Sequence, residues 1–189
     1  MRTKSQEQAD KMLDAATRLF GGQRFHEVRM EDIAAEAGVG KGTIYRYFAD
    51  KEELFLALLK RASDQFLAQC REAMDGAKAT QAKLTAIVGS GIRFFDEQPH
   101  LGPLIQRVEV VHGAKSPWQA SRDSVVGWVT EILRLADESR EFSIRDPEQA
   151  AHMLLGGLRS ISFFGRKPRP KGIAAIIVSD FLFGVTRQK

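Results

Sequence analysis

The sequence predicts an all-α fold of about nine helices, on three observations. Apolar residues recur at three- and four-residue spacing along almost the whole chain. No stretch alternates apolar and polar residues with turn chemistry between partners, so no strand pair is expected. The chain has 189 residues, 43% hydrophobic and 28% charged. That is enough for one large or two small domains with a buried core, and it excludes a disordered chain, a collagen-like chain and a disulfide scaffold.

The elements follow in order. Met12, Leu13, Ala16, Leu19 and Phe20 place one apolar stripe on a first helix. Ser5 and Gln8 fit a capping box at its start, and Gly21-Gly22 marks its end. A short helix reads from about Met30 to Ala37 and is broken by Gly38; a second reads from about Lys41 to Phe48. Asp50, with Glu53 as the other half of the box, caps a long helix over about 52–74 whose Leu54, Phe55, Leu58, Leu59, Ala62 and Phe66 face inward. Further helices read over about 80–97, 101–112, 117–138, 147–164 and 172–186. The breaks fall at Gly76, Pro99, Gly113 to Pro117, Ser139 to Pro147, and Gly165 to Pro170. The three short N-terminal helices cannot share one core with the longer ones. A boundary is therefore expected near the start of the long helix, giving domains 1–52 and 53–189.

The stretch from Met30 to Leu54 carries the chemistry. Two short helices joined by a tight turn make a helix-turn-helix. Ile33, Ala34 and Ala37 give the first of them an inner face, and Val39 and Ile44 plug the second onto it. Gly38 supplies a left-handed turn that a side chain would resist. The second helix is then free to enter the DNA major groove, with Lys41, Gly42 and Thr43 at its leading end. Lys41 can donate to guanine, Thr43 can touch a thymine methyl or a phosphate, and Gly42 lets the backbone come close. Tyr45, Arg46, Tyr47 and Lys51 offer hydroxyls and charge to phosphates. Tyr45 and Tyr47 cannot both face the same way, so at least one of them is expected on DNA and the other can pack inward. Phe48 reads as core.

The segment Ile33-Ala-Ala-Glu-Ala-Gly-Val-Gly-Lys-Gly-Thr-Ile-Tyr-Arg-Tyr-Phe-Ala-Asp-Lys-Glu-Glu-Leu54 resembles the DNA-binding signature of the TetR family of bacterial regulators. The likeness runs from about Ala15 to Leu54 and includes Ala15-Ala16, Leu19-Phe20 and Phe25. Three positions depart from the family pattern. Gly40 stands where a Ser usually precedes the Lys, Arg29 where a Thr or Ser usually opens the first motif helix, and Arg24 where a Gly usually follows the first helix. Arg29 thus joins the expected DNA contacts as a charged group. The resemblance implies a homodimer built on a four-helix bundle of the last two helices of each subunit. It also implies a small-molecule effector, of unspecified identity, held between the middle helices, whose binding moves the two heads apart.

Phe66, Phe95, Val111, Trp128, Ile132 and Phe163 supply apolar wall for such a pocket, with Arg107 and His152 as polar anchors. Each also fits plain core or surface. Gly156-Gly157 in mid-helix suggests a close helix contact, at the dimer or beside a pocket. Ile177, Phe181 and Leu182 lie on a final helix that is apolar nearly all round and needs cover on both sides. The expected function is a cytoplasmic repressor that binds a palindromic operator and is released by an effector. An activator or ligand-blind regulator is the alternative, and further off an all-α binding protein or enzyme that kept the helix-turn-helix. No catalytic constellation, metal motif or cofactor signature is found: the four histidines do not share a helix face, and Cys70 reads as a small buried hydrophobe. The Ile173–Val185 run is too short for a bilayer and carries Asp180. The net charge of +4 is no argument for DNA, because residues 1–50 hold eight basic and eight acidic groups. The excess lies at the end of the chain, where Arg166, Lys167, Arg169 and Lys171 form what reads as a solvated basic loop.

Overall fold

The computed structural model describes residues 3–112 and 116–185, with the side chains of 111, 112 and 185 outside the described part. Among these residues there are nine helices and no β-strand: α1 Lys4–Gly22, α2 Met30–Glu36, α3 Lys41–Tyr47, α4 Lys51–Asp75, α5 Thr80–Glu97, α6 Leu101–His112, α7 Pro117–Glu138, α8 Pro147–Phe164 and α9 Ile173–Val185. Every helix read from periodicity is present. The α1 cap differs from the expected one. Thr3, not Ser5, is the N-cap: its Oγ1 accepts from the Gln6 N–H at 3.2 Å and Gln6 Oε1 accepts from the Thr3 N–H at 2.9 Å. Thr3–Gln6 and Ser5–Gln8 both have the box spacing, and the earlier pair wins because it lengthens the helix. At α4, Asp50 Oδ1 accepts from the Glu53 N–H at 2.8 Å as expected, while the Glu53 carboxylate reaches back to the Ala49 N–H.

The chain forms two compact units. The first comprises the described residues of Met1–Ser63 and Pro103–Trp118. In it α1 packs on α2 and α2 on α3. Met12, Ala15, Ala16 and Phe20 of α1, Ile33 and Ala34 of α2, and Ile44 of α3 are all buried. The small alanines let the helices approach closely, as ridge-and-groove packing requires. Phe20, Phe25 and Phe55 form a three-ring cluster, with Phe25 4.9 Å from Phe55 and 5.3 Å from Phe20.

The second unit comprises the described residues of Asp64–Gly102 and Gln119–Lys189. Here α5 packs against α8 and α9. Leu84, Ile87, Val88 and Phe94 of α5 are fully buried, with Leu154 and Leu158 of α8 and Val178 and Leu182 of α9 against them. Two glycines set close approaches. A Cβ on Gly91 would fall 2.7 Å from Leu158, and one on Gly102 would fall 2.4 Å from Phe163. Gly156 and Gly157 face open space, with no protein atom within 4 Å of a would-be Cβ, so a close contact inside the chain does not explain them.

The basic loop between α8 and α9 is not simply solvated. The Arg169 side chain is only 8% exposed. Its Nε and Nη2 donate to the two Asp96 oxygens at 2.7 and 2.8 Å, and Nη1 donates to the Ile161 carbonyl at 2.8 Å. That carbonyl, which also accepts from the Gly165 N–H at 3.0 Å, belongs to the last turn of α8, where the helix dipole favours a cation. Lys167 adds a second cation at 2.9 Å from Asp96.

Candidate nucleic-acid interface

Backbone at a single glycine sets up the α2–α3 motif. Gly38 has φ of +68°, the left-handed conformation expected from the sequence. The Val39 N–H donates to the Ala34 carbonyl at 2.9 Å and closes the turn. Ile44 and Phe48 then point into the core, and the remaining face of α3 points outward. Lys41, Gly42, Tyr45 and Arg46 are exposed, and Thr43 and Tyr47 are half-buried. Tyr45 is 41% exposed. Gly40 is the α3 N-cap and makes no side-chain cap bond, as its lack of a hydroxyl demands. Arg29 is the exposed N-cap of α2; its N–H donates to the Asp32 carboxylate at 2.9 Å, which leaves the guanidinium outside the capping geometry. At the Arg24 departure, α1 has already ended with Gly22, and the Arg24 N–H donates to Glu27 at 3.0 Å.

Electrostatics divide the remaining groups. Glu31, in the first turn of α2, holds the Lys41 ammonium at 2.8 Å. This contact lowers the Glu31 pKa and raises that of Lys41. Lys41 also stands 6.0 Å from the Tyr45 ring centre. The Tyr47 hydroxyl donates to Gln8 Oε1 at 3.1 Å, tying α3 to α1, and Arg46 lies over its ring. Of the two tyrosines, Tyr45 is the one presented outward. Lys51 is turned inward. Its ammonium donates to the Phe25 and Val28 carbonyls, both at 2.8 Å, and sits 4.5 Å from the Phe25 ring centre. Burial, and then the nearby Arg107 charge, lower its pKa. Arg107 itself stacks 3.9 Å over Phe25 and pairs with Glu52 at 3.2 Å. Sequence reasoning missed this Lys51–Phe25–Arg107–Glu52 cluster. Its one visible signal was a basic side chain, Arg107, embedded in a mostly apolar helix.

A sequence model described as "Bacterial regulatory proteins, tetR family" matches residues 12–58, which span α1 to the first turns of α4. The chain is also similar over most of its length to the HTH-type transcriptional regulator UidR of Escherichia coli K12. The two are 30% identical over 149 residues, covering 76% of this chain and 73% of UidR. The chain belongs to the TetR family. It is 34% identical over 94 residues to the HTH-type transcriptional activator FasR of Mycolicibacterium smegmatis, a match covering 50% of this chain and 42% of FasR, less than half of that relative. The solved fatty acid degradation regulator FadR of Bacillus halodurans shares the fold at a TM-score of 0.79 and 21% identity, covering 96% of each chain.

In this TetR-family chain the residues expected around an effector are divided between the two units. In the second unit, Phe95 packs edge-on against Phe163 at 4.9 Å, and Phe66 lies 5.1 Å from Phe94, so these rings pack on one another. Trp128 is half-buried with Arg71 stacked 5.3 Å away, Ile132 is half-buried, and His152 is exposed. Arg107 belongs to the first unit, in the cluster just described, and the Val111 side chain lies outside the described residues. An open groove of about 640 Å³ runs between α5 and α9, bordered by Ala82, Ala86, Arg93 and Ala174, and none of the expected pocket residues lines it.

The expected dimer residues divide as well. Gly156 and Gly157 are exposed, Ile177 and Phe181 are half-buried, and Leu182 is buried within the chain. Ile176 and Phe183, on the final helix that is apolar nearly all round, are exposed, Phe183 at 76%, and so are Met153 and Phe164 of α8. Among the described residues no helix is long and apolar enough to cross a membrane, and no three His, Cys, Asp or Glu side chains are grouped for a metal. Burial pushes the Cys70 thiol up to about 12, which makes it a poor nucleophile.

Proposed function

We propose that this regulator binds a palindromic operator as a homodimer and is released from it by a small-molecule effector. The single observation that carries the DNA contact is the outward face of α3. There Lys41, Gly42, Tyr45 and Arg46 are exposed to solvent while Ile44 and Phe48 anchor the helix from behind. Lys41, Gly42 and Thr43 meet base edges. Tyr45, Arg46 and Arg29 meet phosphates and fix the register. Tyr47 and Lys51 support the motif from inside. In this reading residues 1–52 are the DNA-binding domain, 53–189 serve effector binding and dimerisation, and the protein works in the cytoplasm with no enzymatic activity. Tyr45→Ala is expected to weaken binding to the duplex best retained from fragmented genomic DNA by roughly tenfold, at unchanged helicity. A gel shift at fixed salt checks it. Equal affinity removes Tyr45 from the interface, and a wild-type chain that retains no duplex specifically removes the reading.

The exposed apolar face of α8 and α9 supports the dimer. Met153, Phe164, Ile176 and Phe183 are large apolar side chains exposed on these two helices, and such surface is stabilised in water when another surface covers it. Gly156 and Gly157, open on α8, would let a partner helix approach closely. Phe183→Ala is therefore expected to raise the dimer dissociation constant by about tenfold in sedimentation velocity. An unchanged constant would move the interface elsewhere. The mechanism is a coupling free energy: effector and DNA prefer different separations of the two heads, so each weakens the other. Recognition helices one DNA turn apart, about 34–36 Å, or a multiple of it, suit binding. The Phe66, Phe95, Trp128, Ile132 and Phe163 surroundings are the proposed effector wall. Long-chain fatty acyl compounds head a thermal-shift panel because FadR is described as a fatty acid degradation regulator. FasR is described as an activator, which keeps activation as the second reading. A reporter driven by the recovered promoter decides, falling with a repressor and rising with an activator.

A further inference from the structure

We propose that Glu31 sets specificity at the DNA interface by holding the Lys41 ammonium at the leading end of α3 and withholding that charge from phosphates. This deepens, and rests on, the reading that α3 enters the groove. The two helices of the motif meet at this pair: Glu31 in the first turn of α2 lies 2.8 Å from Lys41 in the first turn of α3. Both side chains are open to solvent, 44% and 68% exposed, so neither is needed to fill the core. A carboxylate on a surface that must meet a polyanion works against affinity unless it does something else there.

Its task follows from the geometry of an ammonium. Lys41 has three N–H donors, and the carboxylate takes one of them. On the operator, the paired ammonium can still donate to guanine O6 or N7 while Glu31 fixes its position, and Glu31 itself can accept from a cytosine amino group. On an unrelated duplex no base rewards that position. Lys41 must then leave Glu31 to reach a phosphate, and the phosphates repel the bare carboxylate. The pair survives in the specific complex and is broken or strained in the non-specific one. Arg29 and Arg46, exposed on the same motif, carry the generic attraction.

The test uses the full chain, the tightest duplex selected by the wild-type chain from a random-sequence pool, and a scrambled duplex of equal length. Glu31→Gln is expected to tighten binding to the scrambled duplex roughly fivefold or more. It should steepen its log K against log[salt] slope by about one, as the freed Lys41 charge displaces one more counterion. Selected-duplex affinity should change by less, so the ratio of the two affinities falls. In a Lys41→Gln background the same change should have less than half its effect on the logarithm of scrambled-duplex affinity, because the two residues act as a pair. An unchanged slope and ratio overturn the proposal. So does an undiminished effect without Lys41, which would mean plain repulsion by the carboxylate. If the wild-type chain itself does not prefer the selected duplex, the DNA reading falls along with it. If it does prefer that duplex and Glu31→Gln changes nothing, only the role of Glu31 falls.

Discussion

Replacing Arg169 with alanine is expected to lower stability by about 3 kcal/mol and the melting temperature by roughly 6–12 °C. The guanidinium is nearly buried and satisfies both Asp96 oxygens and the Ile161 carbonyl, with a longer bond of 3.2 Å to the Ser162 carbonyl. Alanine removes all of these bonds at once; Asp96 keeps Lys167 and the Ile161 carbonyl keeps the Gly165 N–H at 3.0 Å, but a part-buried acceptor that loses a charged donor costs more than the original bond contributed. The effect stays at the lower end for broken buried pairs because Lys167 still faces Asp96 at 2.9 Å. Lys167→Ala should by contrast cost under about 1 kcal/mol, since its side chain is half exposed. Thermal and urea unfolding of the two variants check the order. If Lys167→Ala costs as much as Arg169→Ala, the assignment of the anchor to Arg169 is wrong.

The same pair gives acid sensitivity a sign. The Arg169 hydrogen bonds, and to a smaller extent Lys167, hold the Asp96 carboxyl below its ordinary value of 3.8. A group whose pKa is lower folded than unfolded contributes fully above the unfolded value and loses that contribution as pH falls through the folded one. Stability of the wild-type chain should therefore drop below about pH 4 more steeply than that of Asp96→Asn, which has no proton to take up there.

How much of this was legible in the sequence follows from the range of each interaction. The helices and the α2–α3 motif were readable because their signals are local: apolar spacing of three and four, a glycine that must turn left-handed at residue 38, and an acidic cap at Asp50. The outward face of α3 was readable for the same reason, since Ile44 and Phe48 claim the inner one. What stayed hidden depends on partners far along the chain. Arg169 finds Asp96 across 73 residues and Lys51 finds Phe25 across 26, and no spacing rule connects them. Glycines show the same limit. Gly156-Gly157 stood out as a doublet, yet Gly91 and Gly102 are glycines that admit a neighbouring side chain, and only the packing of Leu158 and Phe163 reveals it. The proposed effector wall was least legible because apolar residues that line a cavity and those that fill a core share one pattern.

Lys51→Ala is the second large effect, and it separates two roles that composition cannot. As a phosphate ligand, Lys51 would contribute one displaced counterion, so its loss would flatten the salt slope of operator binding by about one. As the structure places it, the ammonium is spent on the Phe25 and Val28 carbonyls and the Phe25 ring. Its loss then removes two charge-assisted bonds and a cation–π contact from the α1–α2 loop, expected to cost about 2–3 kcal/mol of stability. Operator affinity should fall as well, because α2 is entered from that loop and α3 is aimed by α2, but the salt slope should stay as in wild type. Lys51→Arg should rescue only in part, since a larger planar guanidinium does not take the place that a compact ammonium fills between the two carbonyls and the Phe25 ring. A flattened slope with an unchanged melting temperature would return Lys51 to the DNA. A lowered melting temperature with an unchanged slope makes it the clamp that holds the motif in place, with the Arg107 charge packed against the same ring.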